Sequence, residues 1–177
     1  MRVQPLTEEL ARSRMDDLVG IERETVASFG AAYADDRWAE REFLWPVPSK
    51  WTLSTCVVLP DRALGGFWMA SAATPGIAHV HRVALRAAAH GRGLYRAMGD
   101  AWLVLARGHG LVRFSAFVSA ANDAAARFYV ERGFTALAGE ALQGFLKETG
   151  RELLSRDGVV LGGDGHEKQL WYRDDRG

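Results

Sequence analysis

The chain has 177 residues, a length that fits one compact domain with a single core. It carries 22 basic and 22 acidic side chains, so the formal net charge is zero. This balance argues against a nucleic-acid or anionic-membrane partner, because both require clustered positive charge. The sequence contains no run apolar enough to span a bilayer and no signal-peptide pattern at its start. A cytoplasmic enzyme or binding domain is the expected class.

The cysteine and histidine content predicts neither a disulfide nor a metal centre. The single cysteine, Cys56, excludes an intramolecular disulfide, and its apolar surroundings at 52–59 favour a buried thiol over a nucleophile. The five histidines are scattered and form no cluster with the spacing of metal ligands.

Helical periodicity dominates the first 44 residues. Apolar residues recur at helical spacing over 7–29, where Thr7 suits an N-cap and Gly30 a stop. A second, short helix is predicted over 36–44. It is expected to end there because Pro46 and Pro48 disfavour its continuation.

After residue 50 the pattern predicts three antiparallel strands, and helices and strands then alternate. This order favours an α/β (α+β) fold in which helices cover a sheet. The stretch 139–165 has the weakest pattern, and a helix at 147–155 is the only element suggested there. The predicted strands are 51–59, 63–72, 77–85, 111–118, one beginning at Phe134, and 168–173, and the predicted helices are 93–107 and 122–132.

The stretch 79–134 is the most informative part of the sequence. An apolar strand leads into a short loop that contains Gly91 and Gly93, and a helix follows at once. The start of a helix suits an anion, because its backbone N–H groups and its positive dipole end face outwards. A second strand–helix unit supplies Asn122 and Tyr129. The stretch therefore indicates a phosphate-bearing cofactor held beside a phenol.

Two signatures in this stretch resemble those of the GCN5-related N-acetyltransferases (GNAT), which transfer an acyl group from acyl-CoA to an amine. The first, Gln/Arg-x-x-Gly-x-Gly/Ala between a strand and a helix, reads here His90-Gly91-Arg92-Gly93-Leu94-Tyr95. The second is represented here by Asn122, Ala125, Tyr129, Gly133 and Phe134. The resemblance implies a single N-acetyltransferase domain over 1–177, monomeric or homodimeric, with a mixed, mostly antiparallel central sheet flanked by helices.

The first signature departs from the family pattern at both ends. His90 replaces Gln or Arg, and an unperturbed imidazole carries full charge only below about pH 6.5, so weaker or more pH-dependent pyrophosphate binding is expected. Tyr95 replaces Gly or Ala. Its side chain must point away from the phosphates or stack on the cofactor.

The resemblance implies acetyl-CoA, or another acyl-CoA, as cofactor. The loop glycines would let the backbone approach the pyrophosphate, while Arg92 and Arg96 would screen its charge or remain solvated. Asn122 would bond the pantetheine amide, cap its helix, or do both. In this family the strand before the loop pairs with the pantetheine arm. The corresponding residues are Val83, Ala84 and Leu85.

Catalytic roles are also implied. Tyr129 matches the family's usual general acid, which protonates the departing thiolate, although the helical pattern alone favours a core aromatic. His79 and His81 alternate on the predicted strand and are expected to share a face with Val83 and Leu85. This His-x-His pattern resembles the arylalkylamine N-acetyltransferases, in which two strand histidines relay the amine proton; the alternative is two polar residues of a sheet face.

The expected activity is transfer of an acetyl group to a primary amine of a small molecule, by direct attack in a ternary complex. A protein N-terminal or lysine acetyltransferase and a non-catalytic acyl-CoA-binding module are the alternatives. Aromatic residues are dense near the predicted N-terminal helices and first strands, where they form ordinary core or wall a site for an apolar amine. They are Phe29, Tyr33, Trp38, Trp45, Trp51, Phe67 and Trp68.

Overall fold

The computed structural model describes residues 1–29, 37–151, 155–156, 159–161 and 167–176. The chain forms two compact units, Met1–Leu111 and Val112–Gly177. In both units the described strand pairs are antiparallel and helices accompany the sheet. The α/β (α+β) class with a mostly antiparallel sheet flanked by helices is therefore confirmed.

The first unit is built on four antiparallel strands in the order β1-β2-β3-β4. Among the residues described in this unit, four helices precede the long hairpin of β3 and β4, and another follows the hairpin after a 3₁₀ turn at Ala87–Ala89. The strands are β1 Arg2–Pro5, β2 Thr55–Val58, β3 Leu64–Thr74 and β4 Ile77–Leu85. The helices are α1 Glu8–Ser13, α2 Met15–Phe29, α3 Glu40–Leu44, α4 Lys50–Leu53 and α5 Leu94–Gly108.

The two faces of the β3–β4 hairpin bury different sets of side chains. On one face, Phe67 and Met69 join a buried cluster with Leu18 and Ile21 of α2. On the other face, Trp68 contacts the ring of Trp102 on α5, with their centroids 5.4 Å apart. Burying both faces of one strand explains why β3 reads as a nearly continuous apolar run rather than a strict alternation.

The structure corrects two predictions in this unit. The helix expected over 7–29 is interrupted at Arg14, which caps α1 in a non-helical conformation, although the Thr7 hydroxyl caps the start as predicted by accepting from Leu10 N–H at 3.2 Å. The strand expected over 51–59 begins only at Thr55. A short helix, α4, precedes it, and the ammonium group of Lys50 in this helix donates to the carbonyl oxygens of Phe43, at 2.6 Å, and Trp45.

The second unit is organised around its last strand, β9 Glu167–Asp174. One edge of β9 pairs with all seven residues of β5, and the other edge pairs with β6 and β8. The remaining strands are β5 Arg113–Ser119, β6 Thr135–Ala136, β7 Ser155–Arg156 and β8 Val159–Leu161, and the helices are α6 Asp123–Glu131 and α7 Gly139–Glu148.

The helix suggested over 147–155 is misplaced. The observed helix α7 ends at Glu148, and residues 152–154 lie outside the described residues. Leu142, Phe145 and Leu146 form its buried face, and Glu148 receives two hydrogen bonds from the Arg113 guanidinium group, at 2.5 and 2.6 Å. An ion pair between residues this far apart in sequence gives no local signal.

Candidate active site

A β-bulge interrupts the hairpin where the histidines of β4 lie. The register runs from Met69 opposite Arg82 to Ala70 opposite Val80, so His81 is the extra residue of β4. A bulge rotates the side chains that follow it and is a common feature beside functional sites.

The two strand histidines come together, but not on the face that was expected. Val83 lies opposite Trp68, and His79 lies opposite Ser71, three residues further along β3. An odd separation places residues on opposite faces of a strand. The prediction that the histidines share the face of Val83 and Leu85 is therefore wrong: His79 faces the side covered by α2.

Contact between the two imidazoles places His81 on that same side. The ring centroids of His79 and His81 are 4.9 Å apart, and the rings are almost perpendicular. His79 is buried, with 5% of its surface exposed, whereas His81 is half-buried. The Nε2 atom of His81 lies 2.6 Å from the hydroxyl of the fully buried Ser71. The described residues thus contain a compact Ser71–His79–His81 cluster at the bulge.

A buried ion pair joins β4 to α2 next to this cluster. Arg82 donates from Nε and Nη2 to the two carboxylate oxygens of Glu22, at 2.9 and 2.7 Å. Both side chains are buried, and Glu22 also accepts from the Trp38 backbone N–H at 3.2 Å. This bidentate geometry satisfies both charges and fixes the strand beside His81 against the helix.

The loop after β4 has the geometry of a phosphate site. Gly91 and Gly93 have φ angles of +69° and +70°, which residues with a Cβ rarely adopt, and a Cβ at either position would meet no protein atom within 4 Å. The hydrogen-bond ladder of α5 begins with Ala97 N–H donating to Gly93, so the amides of the preceding residues face the helix end. The backbone therefore leaves room for a pyrophosphate at a positive dipole end.

The side chains of this loop fall into three groups. His90 folds back on the strand, with Nε2 3.0 Å from the carbonyl oxygen of Leu85. Tyr95 packs against Trp68 with ring centroids 5.4 Å apart, which agrees with the first alternative, a side chain directed away from the phosphates. Arg92 and Arg96 are exposed at the surface.

Val83, Ala84 and Leu85 lie in β4 as predicted, opposite residues 66–68 of β3. The two strands approach each other closely here. A Cβ added to Gly66 would lie 2.3 Å from a methyl carbon of Leu85 and 2.8 Å from the Ala84 carbonyl oxygen. Gly66 therefore permits this spacing.

Asn122 and Tyr129, the residues of the second signature, belong to the second unit, at the start and within α6. The Asn122 side chain accepts from Ala125 N–H at 3.0 Å and so caps α6, which confirms the capping part of the prediction. Tyr129 is 2% exposed, its ring stacks on Trp171 at 6.2 Å, and it meets Phe134 edge-on at 5.1 Å. The phenol thus belongs to an aromatic cluster that fixes its orientation.

Most of the aromatic residues near the N-terminal helices are core. Phe67 and Trp68 are fully buried, and Trp38 and Trp51 pack against the buried cluster of the first unit. Trp45 is 66% exposed, and Tyr33 lies outside the described residues.

Cys56 is a buried thiol, as predicted. Burial raises its pKa to about 11, so the reactive thiolate is a minor species at neutral pH. The residues that the structure describes contain no group of three or more histidine, cysteine or carboxylate side chains arranged to hold a metal ion. No helix within the described ranges is both long and apolar enough to cross a membrane.

Gly91→Ala is expected to weaken acetyl-CoA binding about 10- to 100-fold, because the methyl group opposes the positive φ angle and enters the space left for the phosphates. Gly76→Ala is the matched control, since Gly76 has a φ angle of +76° and equally open surroundings but lies in the β3–β4 turn. Calorimetric titration with acetyl-CoA measures both. Equal affinities for the two variants would contradict the assignment of this loop.

Comparison with known proteins identifies the class. The acetyltransferase (GNAT) family model matches residues 18–134, which include the histidines, the glycine loop and Tyr129. The chain therefore belongs to the GNAT acetyltransferase family and is an N-acetyltransferase that uses acetyl-CoA. No protein of curated function matches the sequence significantly.

Solved structures share the fold across almost the whole chain. The ribosomal-protein-S18-alanine N-acetyltransferase of Escherichia coli aligns with a TM-score of 0.68 and 16% identity, over 98% of this chain and 93% of its own. A GNAT-family acetyltransferase of Staphylococcus aureus aligns with a TM-score of 0.68 and 10% sequence identity, over 99% of each chain. The PaiA N-acetyltransferase of Thermoplasma acidophilum, solved in complex with coenzyme A, aligns with a TM-score of 0.63 and 12% sequence identity, over 98% of each chain.

Proposed function

We propose that this acetyltransferase acetylates a primary amine of a small molecule, by direct attack of the amine within a ternary complex. The observation that carries the proposal is the pair of contacting imidazoles, His79 and His81, at the bulge of β4. The bulge lies on the strand that leads straight into the glycine loop, so a base here stands close in sequence to the inferred cofactor site.

An imidazole suits the proton transfer that the acceptor needs. A primary amine is protonated at neutral pH and must lose a proton before its nitrogen can attack, and the ordinary pKa of histidine lies close to that pH. His81 is the base in this proposal, because it is half-buried whereas His79 is almost fully enclosed. His79 contacts its ring and is the second member of the relay, as in the arylalkylamine N-acetyltransferases that the motif resembles.

Acetyl-CoA supplies an activated acetyl thioester. The backbone of 91–96 would hold its pyrophosphate, with Arg92 and Arg96 nearby and His90 at the entrance of the loop. The backbone of Val83, Ala84 and Leu85 and the side chain of Asn122 would hold the pantetheine arm. Strand N–H groups near the reacting carbonyl would stabilise negative charge that develops on its oxygen.

Tyr129→Phe is expected to lower kcat about 10²-fold or more, because the proposal makes the Tyr129 hydroxyl the proton donor to the departing thiolate. The packing of the ring on Trp171 is retained, so the thermal midpoint should change little. Tyr172→Phe is the control, since the Tyr172 hydroxyl contacts Arg113 and Asp174 elsewhere in the second unit. Unchanged turnover in Tyr129→Phe would assign the tyrosine to the aromatic core alone.

The burial of His79 and Ser71 supports a small acceptor over a polypeptide. His79 is 5% exposed, and Ser71 beside it is fully buried, whereas a protein chain requires an open groove. Structures of the same fold include a ribosomal-protein-S18-alanine N-acetyltransferase and a nourseothricin acetyltransferase, so the fold itself accommodates both kinds of acceptor. We further propose that residues 1–177 act as one cytoplasmic domain, monomeric or homodimeric.

Thiol release from acetyl-CoA tests the proposal, with a panel of small primary amines beside a panel of peptides that carry free N-termini and lysines. Buried Cys56 is expected to add little background to a thiol reagent under native conditions. We expect saturable release with one or more amines. Release with peptides alone would overturn the small-molecule assignment.

A further inference from the structure

The hydroxyl of Ser71 is placed to control one nitrogen of the proposed base. Ser71 lies on β3 with none of its surface exposed, and its oxygen is 2.6 Å from Nε2 of His81. Ser71 is also directly opposite His79 across the hairpin. The bulge brings His81 to this hydroxyl, because its extra residue turns the imidazole toward the face that carries Ser71.

A neutral imidazole carries its proton on only one of its two nitrogens. Whether the hydrogen-bond partner of a ring nitrogen accepts from it or donates to it decides which nitrogen carries the proton. If Nε2–H donates to the serine oxygen, the lone pair is on Nδ1, and Nδ1 can accept the proton of the amine. If the serine hydroxyl donates to Nε2 instead, Nδ1 carries the proton and cannot act as a base. Catalysis by His81 therefore requires the first arrangement.

We propose that Ser71 is a positioning residue that accepts the Nε2–H of His81 and holds the imidazole in the tautomer whose Nδ1 carries the lone pair and can act as the base. This inference rests on the proposed function of His81. In the proton transfer, the N–H bond of the ammonium group breaks and the Nδ1–H bond forms, while Nε2–H stays on the serine oxygen. The same contact also stabilises the imidazolium, because hydrogen bonds to charged groups are the stronger ones.

A tautomer measurement tests the inference without any acceptor. Nitrogen-15 NMR of the histidine-labelled protein distinguishes the two neutral tautomers, and the signals of His81 are those lost in His81→Ala. We expect the Nε2–H form in the unmodified protein and a mixed population in Ser71→Ala. The Nδ1–H form in the unmodified protein would overturn the proposal.

Turnover provides the second readout. Ser71→Ala should lower kcat about tenfold, the effect of one hydrogen bond to a charged group, and Ser71→Thr should recover part of it by restoring a hydroxyl. Ser54→Ala is the matched control, because Ser54 is equally buried and its hydroxyl contacts backbone atoms: it donates to the Lys50 carbonyl oxygen at 2.6 Å and accepts from the Ala70 N–H at 3.1 Å. The control is expected to lose stability but not turnover per folded molecule.

A double-mutant cycle separates the two claims. Ser71→Ala should have no effect on kcat in the His81→Ala background if it acts through the imidazole. An equal loss in both backgrounds would overturn the positioning role while leaving the base intact. Full turnover in the His81→Ala single variant would overturn the assignment of His81 as the base. The tautomer measured by NMR would then decide whether Ser71 orients the imidazole ring.

Discussion

We expect His81→Ala to lower kcat at neutral pH about 10²- to 10⁴-fold, the range that a positioned acid–base group contributes. The variant removes the half-buried imidazole at the bulge but leaves the glycine loop of the cofactor site in place. The affinity for acetyl-CoA should therefore stay near that of the unmodified protein. A loss confined to kcat would mark an interaction made in the transition state rather than in binding.

The loss should shrink as the pH rises. While the pH is below the pKa of the acceptor amine, each unit of pH increase raises the deprotonated fraction of the amine about tenfold, so alkaline solution replaces the missing base. His109→Ala is the control, because His109 is an exposed residue at the end of α5. A rate for His81→Ala that equals that of the control at neutral pH would contradict the proposed mechanism.

Glu22→Ala should lower the free energy of unfolding by about 3–5 kcal/mol, because it removes the carboxylate that accepts two hydrogen bonds from the buried guanidinium group of Arg82. It also removes the acceptor of the Trp38 backbone N–H. This loss is a large part of the stability of a domain of this size. Urea unfolding followed by tryptophan fluorescence measures it.

The exposed pair of Arg12 and Glu8 is a matched control, since its closest N–O distance of 2.7 Å equals that of the buried pair. About half of each side chain is exposed, so Glu8→Ala should cost less than about 1 kcal/mol. Replacing both Glu22 and Arg82 by leucine should cost much less than Glu22→Ala alone, because the buried positive charge is removed together with the carboxylate. Equal costs for Glu8→Ala and Glu22→Ala would contradict the role given to burial.

Local patterns were enough to predict the elements that carry the cofactor signatures. The strand predicted over 77–85 has the same bounds in the structure, since a turn at Pro75-Gly76 precedes it and the apolar run ends at the loop. The helix predicted over 122–132 is observed as α6, with Asn122 and Arg132 as its caps. These features depend on neighbours in sequence, which is why a sequence shows them.

The arrangement around the proposed base His81 depends on contacts between residues that are distant in sequence. The bulge at His81 breaks the strict alternation on which the predicted face relied, and no local signal marks an extra residue in a strand. Glu22 and Arg82 are 60 residues apart, and each alone suggests a solvated surface residue. Ser71 is likewise an ordinary strand serine until the fold brings His81 to its hydroxyl.

Mass spectrometry of the products tests the central claim most directly. The protein, acetyl-CoA, a mixture of small primary amines and a mixture of peptides would be incubated together, with His81→Ala in parallel. We expect the mass increase of one acetyl group on an amine of the small-molecule mixture, and a strongly reduced yield with His81→Ala. Acetylation of peptides alone, or equal yields from the two proteins, would contradict the account.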